Sequence, residues 1–164
     1  MATQTLPVRK AESVLDEIEK INNEIMRRAY DIFAGRGGVS GNELDNWLTA
    51  EKELVWRPAI ELREKNKEFL VNIAVPGIDP ADMNVDVTPD RLLVRGEFRH
   101  EHAEEEGKVH TCEFETGSLF RVISFPRRVD TDKVKADFKN GILRVRAVIA
   151  EEQKRKKVAI EASI

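Results

Sequence analysis

The sequence predicts a mainly β protein in which an antiparallel β-sandwich follows two amphipathic helices. Short segments with alternating apolar residues recur between residues 56 and 149, and turn residues rather than helical patterns separate them. Before residue 56, apolar residues instead recur at helical spacings of three and four. We therefore expect a helical arm over residues 1–55, a β domain over 56–149 and a C-terminal extension over 150–164.

The strongest local signal is the pair Asn140-Gly141, because both positions of a two-residue hairpin turn require a positive φ. Alternating apolar and charged residues flank the pair on both sides. Pairing outward from the turn places one apolar set on one face: Phe138 opposite Leu143, Ala136 opposite Val145, and Val134 opposite Ala147. A slip of one residue would turn this face to water, so the sequence predicts a firm register.

Two helices are predicted in the first 55 residues. The first helix carries a stripe of Val14, Ile18, Ile21, Ile25, Ala29 and Ile32. Ser13 is its candidate N-cap, and a glycine-rich loop over residues 35–41 leads to Asn42, the candidate cap of the second helix. Residues 1–10 contain Pro7 and show no periodicity, so we expect a disordered arm there.

Composition and charge narrow the functional classes. The net charge is -3 and the basic residues are spread out except at 154–157, so nucleic acid is not expected as a partner. No apolar run approaches the length of a membrane span, and no secretory leader is present, so neither membrane binding nor export is expected. Cys112 is the single cysteine, which excludes an intrachain disulfide and fits a cytoplasmic location.

Several motifs of the β region resemble those of the small heat-shock proteins, the Hsp20 or α-crystallin family. The similar motifs are Ala136-x-x-x-Asn140-Gly141-Ile142-Leu143, Leu92-Leu-Val94-Arg-Gly96-Glu97, Pro76-Gly77, and Gly117-Ser-Leu119-Phe-Arg121 followed by Phe125-Pro126. Leu119 and Phe125 replace the family's usual Phe and Leu, which keeps both positions apolar. The resemblance covers residues 56–148 and implies an α-crystallin domain, an immunoglobulin-like sandwich, of the bacterial type. Separately, residues 28–54 resemble a short helical module of unknown function found in bacterial proteins.

The resemblance implies an ATP-independent chaperone of the holdase type, which binds partly unfolded client proteins and prevents their aggregation under stress. We expect client contact at apolar residues of the two helices, namely Val14, Leu15, Ile18, Ile21, Ile25, Phe33, Leu44, Trp47 and Leu48. Packing of the helices within an oligomer is the alternative use of the same residues. The competing functional class is a non-chaperone adaptor, similar to p23-type co-chaperones, that binds one folded partner.

The resemblance also implies that the chain forms dimers that assemble into larger oligomers. Val158 and Ile160 project to the same side of an extended chain and look like the family's tail motif, which docks into a neighbouring subunit. The implied docking groove is lined by Val85, Val87, Val134 and Ala136. The long connector that follows residue 98 resembles the bacterial and plant branch, which implies a strand exchanged between dimer partners at Val109, His110, Thr111, Cys112, Glu113 and Phe114.

Neither catalysis nor a cofactor is predicted. No Gly-x-Ser-x-Gly motif is present, and the glycine-rich loop over 35–41 lacks the Lys-Ser/Thr pair of a Walker loop. His100, His102, His110 and Cys112 are of the residue types that hold zinc. Ligands one residue apart on a strand point to opposite faces, and no C-x-x-C pair occurs, so we expect no metal site. A metal-responsive regulator built on these four residues stays as a weaker alternative.

Overall fold

A computed structural model of the chain describes residues 2–102, 107–114 and 116–152. Two short strands precede two helices, and the remaining strands follow. The elements are β1 Gln4–Leu6, β2 Val8–Lys10, α1 Leu15–Gly35, α2 Glu43–Leu54, β3 Val55–Trp56, β4 Ile60–Lys65, β5 Glu68–Ala74, a short 3-10 helix Pro80–Asp82, β6 Met83–Val87, β7 Arg91–Phe98, β8 Gly117–Ser124, β9 Val129–Lys139 and β10 Ile142–Ile149.

Within the described residues, the strands form two five-stranded sheets. Strand order is β1-β9-β10-β5-β4 in the first sheet and β2-β6-β7-β8-β3 in the second. Neighbouring strands are antiparallel except in the pairs β2–β6 and β3–β8, which are parallel. The predicted mainly β architecture behind two N-terminal helices is therefore confirmed.

The hairpin of β9 and β10 has the predicted turn and register. Asn140 and Gly141 have φ values of 53° and 74°, and the three apolar pairs predicted from the sequence face each other. The turn also packs closely, because a Cβ added to Gly141 would lie 3.2 Å from the Cα of Pro76. The Gly141 carbonyl accepts a hydrogen bond from the Val75 amide at 2.8 Å, which ties the turn to the end of β5.

One apolar core joins the two sheets. In β5 the alternate residues Phe69, Val71 and Ile73 are at most 1% exposed, as expected for a strand with one buried face. They pack in one cluster with Leu143 and Val145 of β10 and with side chains of β6, β7 and β8 from the other sheet. Burying each such side chain stabilises the fold by about 1.5–3 kcal/mol.

Both predicted helices form, although their caps differ from the sequence-based expectation. The N-cap of α1 is Val14 rather than Ser13, and the Ser13 hydroxyl instead accepts a hydrogen bond from the Leu15 amide at 3.0 Å. Asn42 occupies the N-cap position of α2 as predicted, but its side chain makes no capping hydrogen bond, and the Glu43 carboxylate accepts a hydrogen bond from the Gly41 amide of the preceding loop. Neither helix is apolar enough over its length to cross a membrane.

The expectation of a disordered N-terminal arm is wrong over residues 4–10. Each of its two strands is only three residues long, and Pro7 separates them, so alternation is too short to detect. The two strands also lie in different sheets, since β1 pairs with β9 and β2 pairs with β6. Partners supplied by distant parts of the chain order this segment, and a local pattern cannot reveal them.

Candidate functional site

The residues predicted to line the tail-docking groove lie on β6 and β9, and the chain's own N-terminal segment pairs with these two strands. β6 and β9 would each be the outer strand of its sheet if residues 4–10 were absent. β1 lies antiparallel on β9, with Leu6 opposite Ala136, and β2 lies parallel on β6, with Val8 opposite Val85. We call residues 4–10 the N-terminal strap, because they cover the β9 edge of the first sheet and the β6 edge of the second.

Apolar contacts hold the centre of the strap. Leu6 is 4% exposed and belongs to the same core cluster as Ala136 and Val85, while Val8 packs against that cluster with part of its surface in water. Of the four predicted groove residues, Val85, Val87 and Ala136 are buried and Val134 is half-buried. The strap covers these residues in this chain, and docking of a tail against them stays a prediction.

A buried acid fixes the end of the strap. Asp86 on β6 is 5% exposed and accepts two hydrogen bonds from Arg9, at 2.8 and 3.1 Å. These hydrogen bonds, and secondly the charge of Asp86, raise the pKa of Arg9 above its ordinary value. Arg95 also donates to Asp86, at 2.7 Å, and pairs with Glu17 of α1 at 2.6 Å, so Asp86 and Arg95 together link the strap, the sheet and the first helix.

Two further contacts extend this attachment. The Ala11 amide donates to the Val87 carbonyl at 2.9 Å and continues the β2–β6 ladder past the strap. Lys10 forms an ion pair with Asp132 of β9. The strap is thus bonded to β6 of the second sheet and to β9 of the first, and opening it would uncover both edges.

The helical residues predicted to contact clients divide into three groups in the structure. Val14 and Ile25 are buried at 2% exposure, whereas Ile18, Ile21, Phe33 and Trp47 are partly buried. Leu15, Leu44 and Leu48 are 59%, 71% and 52% exposed. Packing of the helices on each other and on Phe120 of β8 accounts for the burial of Ile25 and for the partial burial of Ile21 and Trp47.

Five large apolar residues of the two helices are each more than half exposed: Leu15, Met26 and Tyr30 on α1, and Leu44 and Leu48 on α2. Positions 15, 26 and 30 recur on one side of a helix, as do positions 44 and 48. We call these five residues the helical apolar surface. Ion pairs between Arg28 and Glu53, at 2.6 Å, and between Arg36 and Asp45, also at 2.6 Å, join the two helices that carry it.

The predicted exchange segment lies in the connector between β7 and β8. Residues 109–114 are exposed and none of them is in a strand, with Val109 at 47% and Phe114 at 76% exposure. A strand donated to a partner would need such an unpaired stretch, and its exchange stays a prediction. The tail residues Val158 and Ile160 lie outside the described residues.

The same connector brings three metal-type ligands together. The donor atoms of His100, His102 and Cys112 all lie within 4.8 Å of one another, and His110 is not part of this group. The expectation that His100 and His102 point apart is wrong, because β7 ends at Phe98 and strand alternation does not apply beyond it.

Comparisons with known proteins agree with the motifs of the β region. The model of the Hsp20/alpha crystallin family matches residues 61–161, and a family of unknown function, DUF2934, matches residues 22–55. The latter range covers most of the two-helix region.

Curated relatives and a solved structure are similar to this chain over 65% to 87% of its length. The spore protein SP21 of Stigmatella aurantiaca is 34% identical over 106 residues, and the match spans 65% of this chain but only 63% of that protein. Small heat shock protein C2 of Rickettsia felis is 26% identical over 87% of this chain and 92% of its own length. Heat shock protein 16.0 of Schizosaccharomyces pombe superposes with a TM-score of 0.54 at 31% identity, covering 65% of this chain and 99% of that chain.

Proposed function

Because the chain belongs to the Hsp20/alpha crystallin family, we propose that it is an ATP-independent chaperone that holds partly unfolded proteins and prevents their aggregation. The proposal assigns the chain no reaction of its own and no cofactor. It includes an immunoglobulin-like stacking of the two sheets, which the shared core supports, and a cytoplasmic location, which the single cysteine favours.

The helical apolar surface is the observation that carries this proposal. Its five members are each more than half exposed, on helices that are otherwise rich in charge. Partly unfolded proteins expose apolar side chains, and association of the two apolar surfaces removes both from water. Such recognition is non-directional, which suits a protein that binds many sequences rather than one.

The strap supplies a second apolar surface that can be uncovered. The strap has one buried apolar side chain, Leu6, and one half-buried one, Val8, and ordering its seven residues costs conformational entropy. Its hydrogen bonds and exposed ion pairs each add only a small net free energy. We propose that the strap opens while the two sheets remain folded.

Opening of the strap would also make the edges of β6 and β9 available for contacts between subunits. The tail sequence Val158-Ala159-Ile160 repeats the spacing of Leu6-Pro7-Val8, two branched apolar residues around one spacer. We propose that the tail of a neighbouring subunit occupies the same groove once the strap has left it. Assembly through such weak and repeated contacts gives oligomers that can exchange subunits.

The direct test is light scattering during heating of an aggregation-prone enzyme, without nucleotide. We expect near-equimolar protein to suppress the scattering. Replacing Leu44 and Leu48 together with Ser should weaken the suppression, because it removes the α2 part of the helical apolar surface. Lys52→Ser on the same helix is the matched control and should leave suppression unchanged.

Two results would count against the holdase proposal. Scattering that is the same with and without the protein would exclude it. Equal loss of suppression in the Leu44/Leu48 variant and the Lys52 variant would show that the helical apolar surface is not the client surface. Stoichiometric binding of one folded partner, without suppression, would instead favour the adaptor class.

A further inference from the structure

We propose that His100, His102 and Cys112 form a binding site for a zinc-like divalent ion in the connector between β7 and β8. The three donor atoms come from both limbs of the connector, two from residues shortly after β7 and one from the returning limb, yet they lie within 4.8 Å of one another. Two imidazoles and one thiol that converge in this way are the donor set that borderline-soft metals prefer.

The spacing of the donors is close to what tetrahedral zinc requires. Bond lengths of about 2.0–2.1 Å to nitrogen and 2.3 Å to sulfur place tetrahedral ligands about 3.3–3.6 Å apart. The observed separations, all within 4.8 Å, exceed these values by about 1.2–1.5 Å at most. Rotations of exposed side chains can close that difference without moving β7 or β8. Three protein ligands leave a fourth position for water.

Contacts around His100 hold part of the site in place. Its backbone amide donates to the Thr116 hydroxyl at 3.2 Å, which ties the two limbs of the connector together beside the site. Its ring stacks on Phe114 with centroids 4.6 Å apart, and the His102 ring meets it edge-on at 4.7 Å. Ordering of the ligands before binding reduces the entropy that binding must offset.

The chemistry of the site predicts which ions it selects. Binding requires neutral imidazoles and the Cys112 thiolate, so loading releases the thiol proton and weakens as the pH falls. Mg²⁺ and Ca²⁺ prefer oxygen ligands and should not compete. An ion held by all three side chains also keeps Cys112 against its own chain, and therefore fixes the position of residues 109–114.

The test uses the untagged full chain, reduced with a phosphine so that no added thiol competes for metal. Titration with Co²⁺ should give the absorption bands of tetrahedral thiolate coordination, at one ion per chain, and Zn²⁺ should displace it. Cys112→Ser should abolish the thiolate band, and His102→Ala should weaken binding about tenfold or more. His110→Ala is the matched control, because this histidine lies in the same connector but outside the cluster, and its affinity should stay within about twofold.

Three outcomes would overturn the proposal. The first is the absence of a thiolate band in the unmodified chain. The second is a His110→Ala variant that binds as weakly as His102→Ala, which would indicate scattered surface ligands. The third is a ratio of one ion to two chains that persists on dilution, which would place the ion between molecules. Hydrogen exchange in residues 107–114 adds an independent readout, since Zn²⁺ should slow it in the unmodified chain and leave it unchanged in Cys112→Ser.

Discussion

The β9–β10 hairpin and the N-terminal strap are both β structure, yet the sequence encodes them in different ways. In the hairpin, the turn residues, the alternation and the pairing partner all lie within twenty-one consecutive residues, Val129–Ile149. In the strap, two three-residue strands pair with β9 and β6, which lie far along the chain. The hairpin is specified locally, whereas the strap is specified by the edges it covers.

This difference has a consequence for stability. The hairpin contributes to the shared core along its whole length, so its side chains stabilise the entire fold. The strap contributes one fully buried side chain, Leu6, and can leave without breaking any other strand pair. We therefore expect the strap to open at a lower free energy than the two sheets need to unfold.

The largest expected effect is that of Leu143→Ala in the hairpin. Leu143 is 0% exposed and pairs with both Phe138 and Ile73, so the substitution leaves a cavity in the shared core. We expect a loss of about 2–5 kcal/mol in the free energy of unfolding, measured in urea. Ile142→Ala, at the half-buried neighbouring position, should lose clearly less. Equal losses would show that the hairpin does not contribute through its buried face.

A smaller global effect is expected for Leu6→Ala in the strap. Its cost cannot exceed the free energy that holds the strap closed, because beyond that point the strap opens and the sheets persist. We expect about 1–3 kcal/mol locally, seen as faster hydrogen exchange at Ala11, whose amide bonds to Val87, with little change in β10. Thr5→Ala, on the exposed side of the same strand, is the control.

Equal acceleration of exchange in the strap and in β10 after Leu6→Ala would contradict the comparison, because it would mean that the two regions unfold together. Exchange unchanged at Ala11 would mean that Leu6 does not hold the strap.

Two separate glycine substitutions, at Gly141 in the hairpin turn and at Gly35 in α1, test how strongly the turn geometry requires glycine. At Gly141 a φ of +74° and the nearby Pro76 backbone both oppose a side chain, so Gly141→Ala should cost about 1–2 kcal/mol. Gly35 lies in α1 with nothing near its added Cβ, so Gly35→Ala should instead stabilise by up to about 0.5–1 kcal/mol. Thermal unfolding of both variants gives the comparison, and two shifts of the same sign would show that turn geometry is not decisive.

The hairpin could be predicted from the sequence because its information is local. Asn140-Gly141 admits few other conformations, and the alternation on either side then sets the register. The strap could not be predicted, since nothing between residues 4 and 10 indicates that β6 and β9 leave their edges open at the same place. A three-residue strand is too short for period-two alternation to stand out from a random sequence.

The candidate sites show the same limit. The spacing of apolar residues identified the helical stripe, but whether Val14 or Leu15 stays exposed depends on where the helix packs, and the structure buries the first and exposes the second. For His100 and His102, the prediction assumed a strand that in fact ends at Phe98. Patterns locate faces and elements, whereas tertiary packing decides which members of a face remain accessible.

The smallest expected effect concerns the ion pair at the end of the strap. The Arg9 side chain is 57% exposed, so water and salt screen its attraction to Asp86, and Arg95 still neutralises that carboxylate when Arg9 is replaced. Arg9→Gln should therefore cost less than about 1 kcal/mol and speed exchange at Ala11 slightly, with a difference that shrinks at high salt. Because Asp86 raises the pKa of Arg9 in the folded chain, the contribution of this ion pair to stability is fully present at neutral pH and is lost only in strong alkali.

Arg63→Gln is the control, because it breaks an exposed pair with Glu61 far from the strap, and it should leave hydrogen exchange at Ala11 unchanged. A large loss of global stability in Arg9→Gln would show that the strap is part of the rigid body after all.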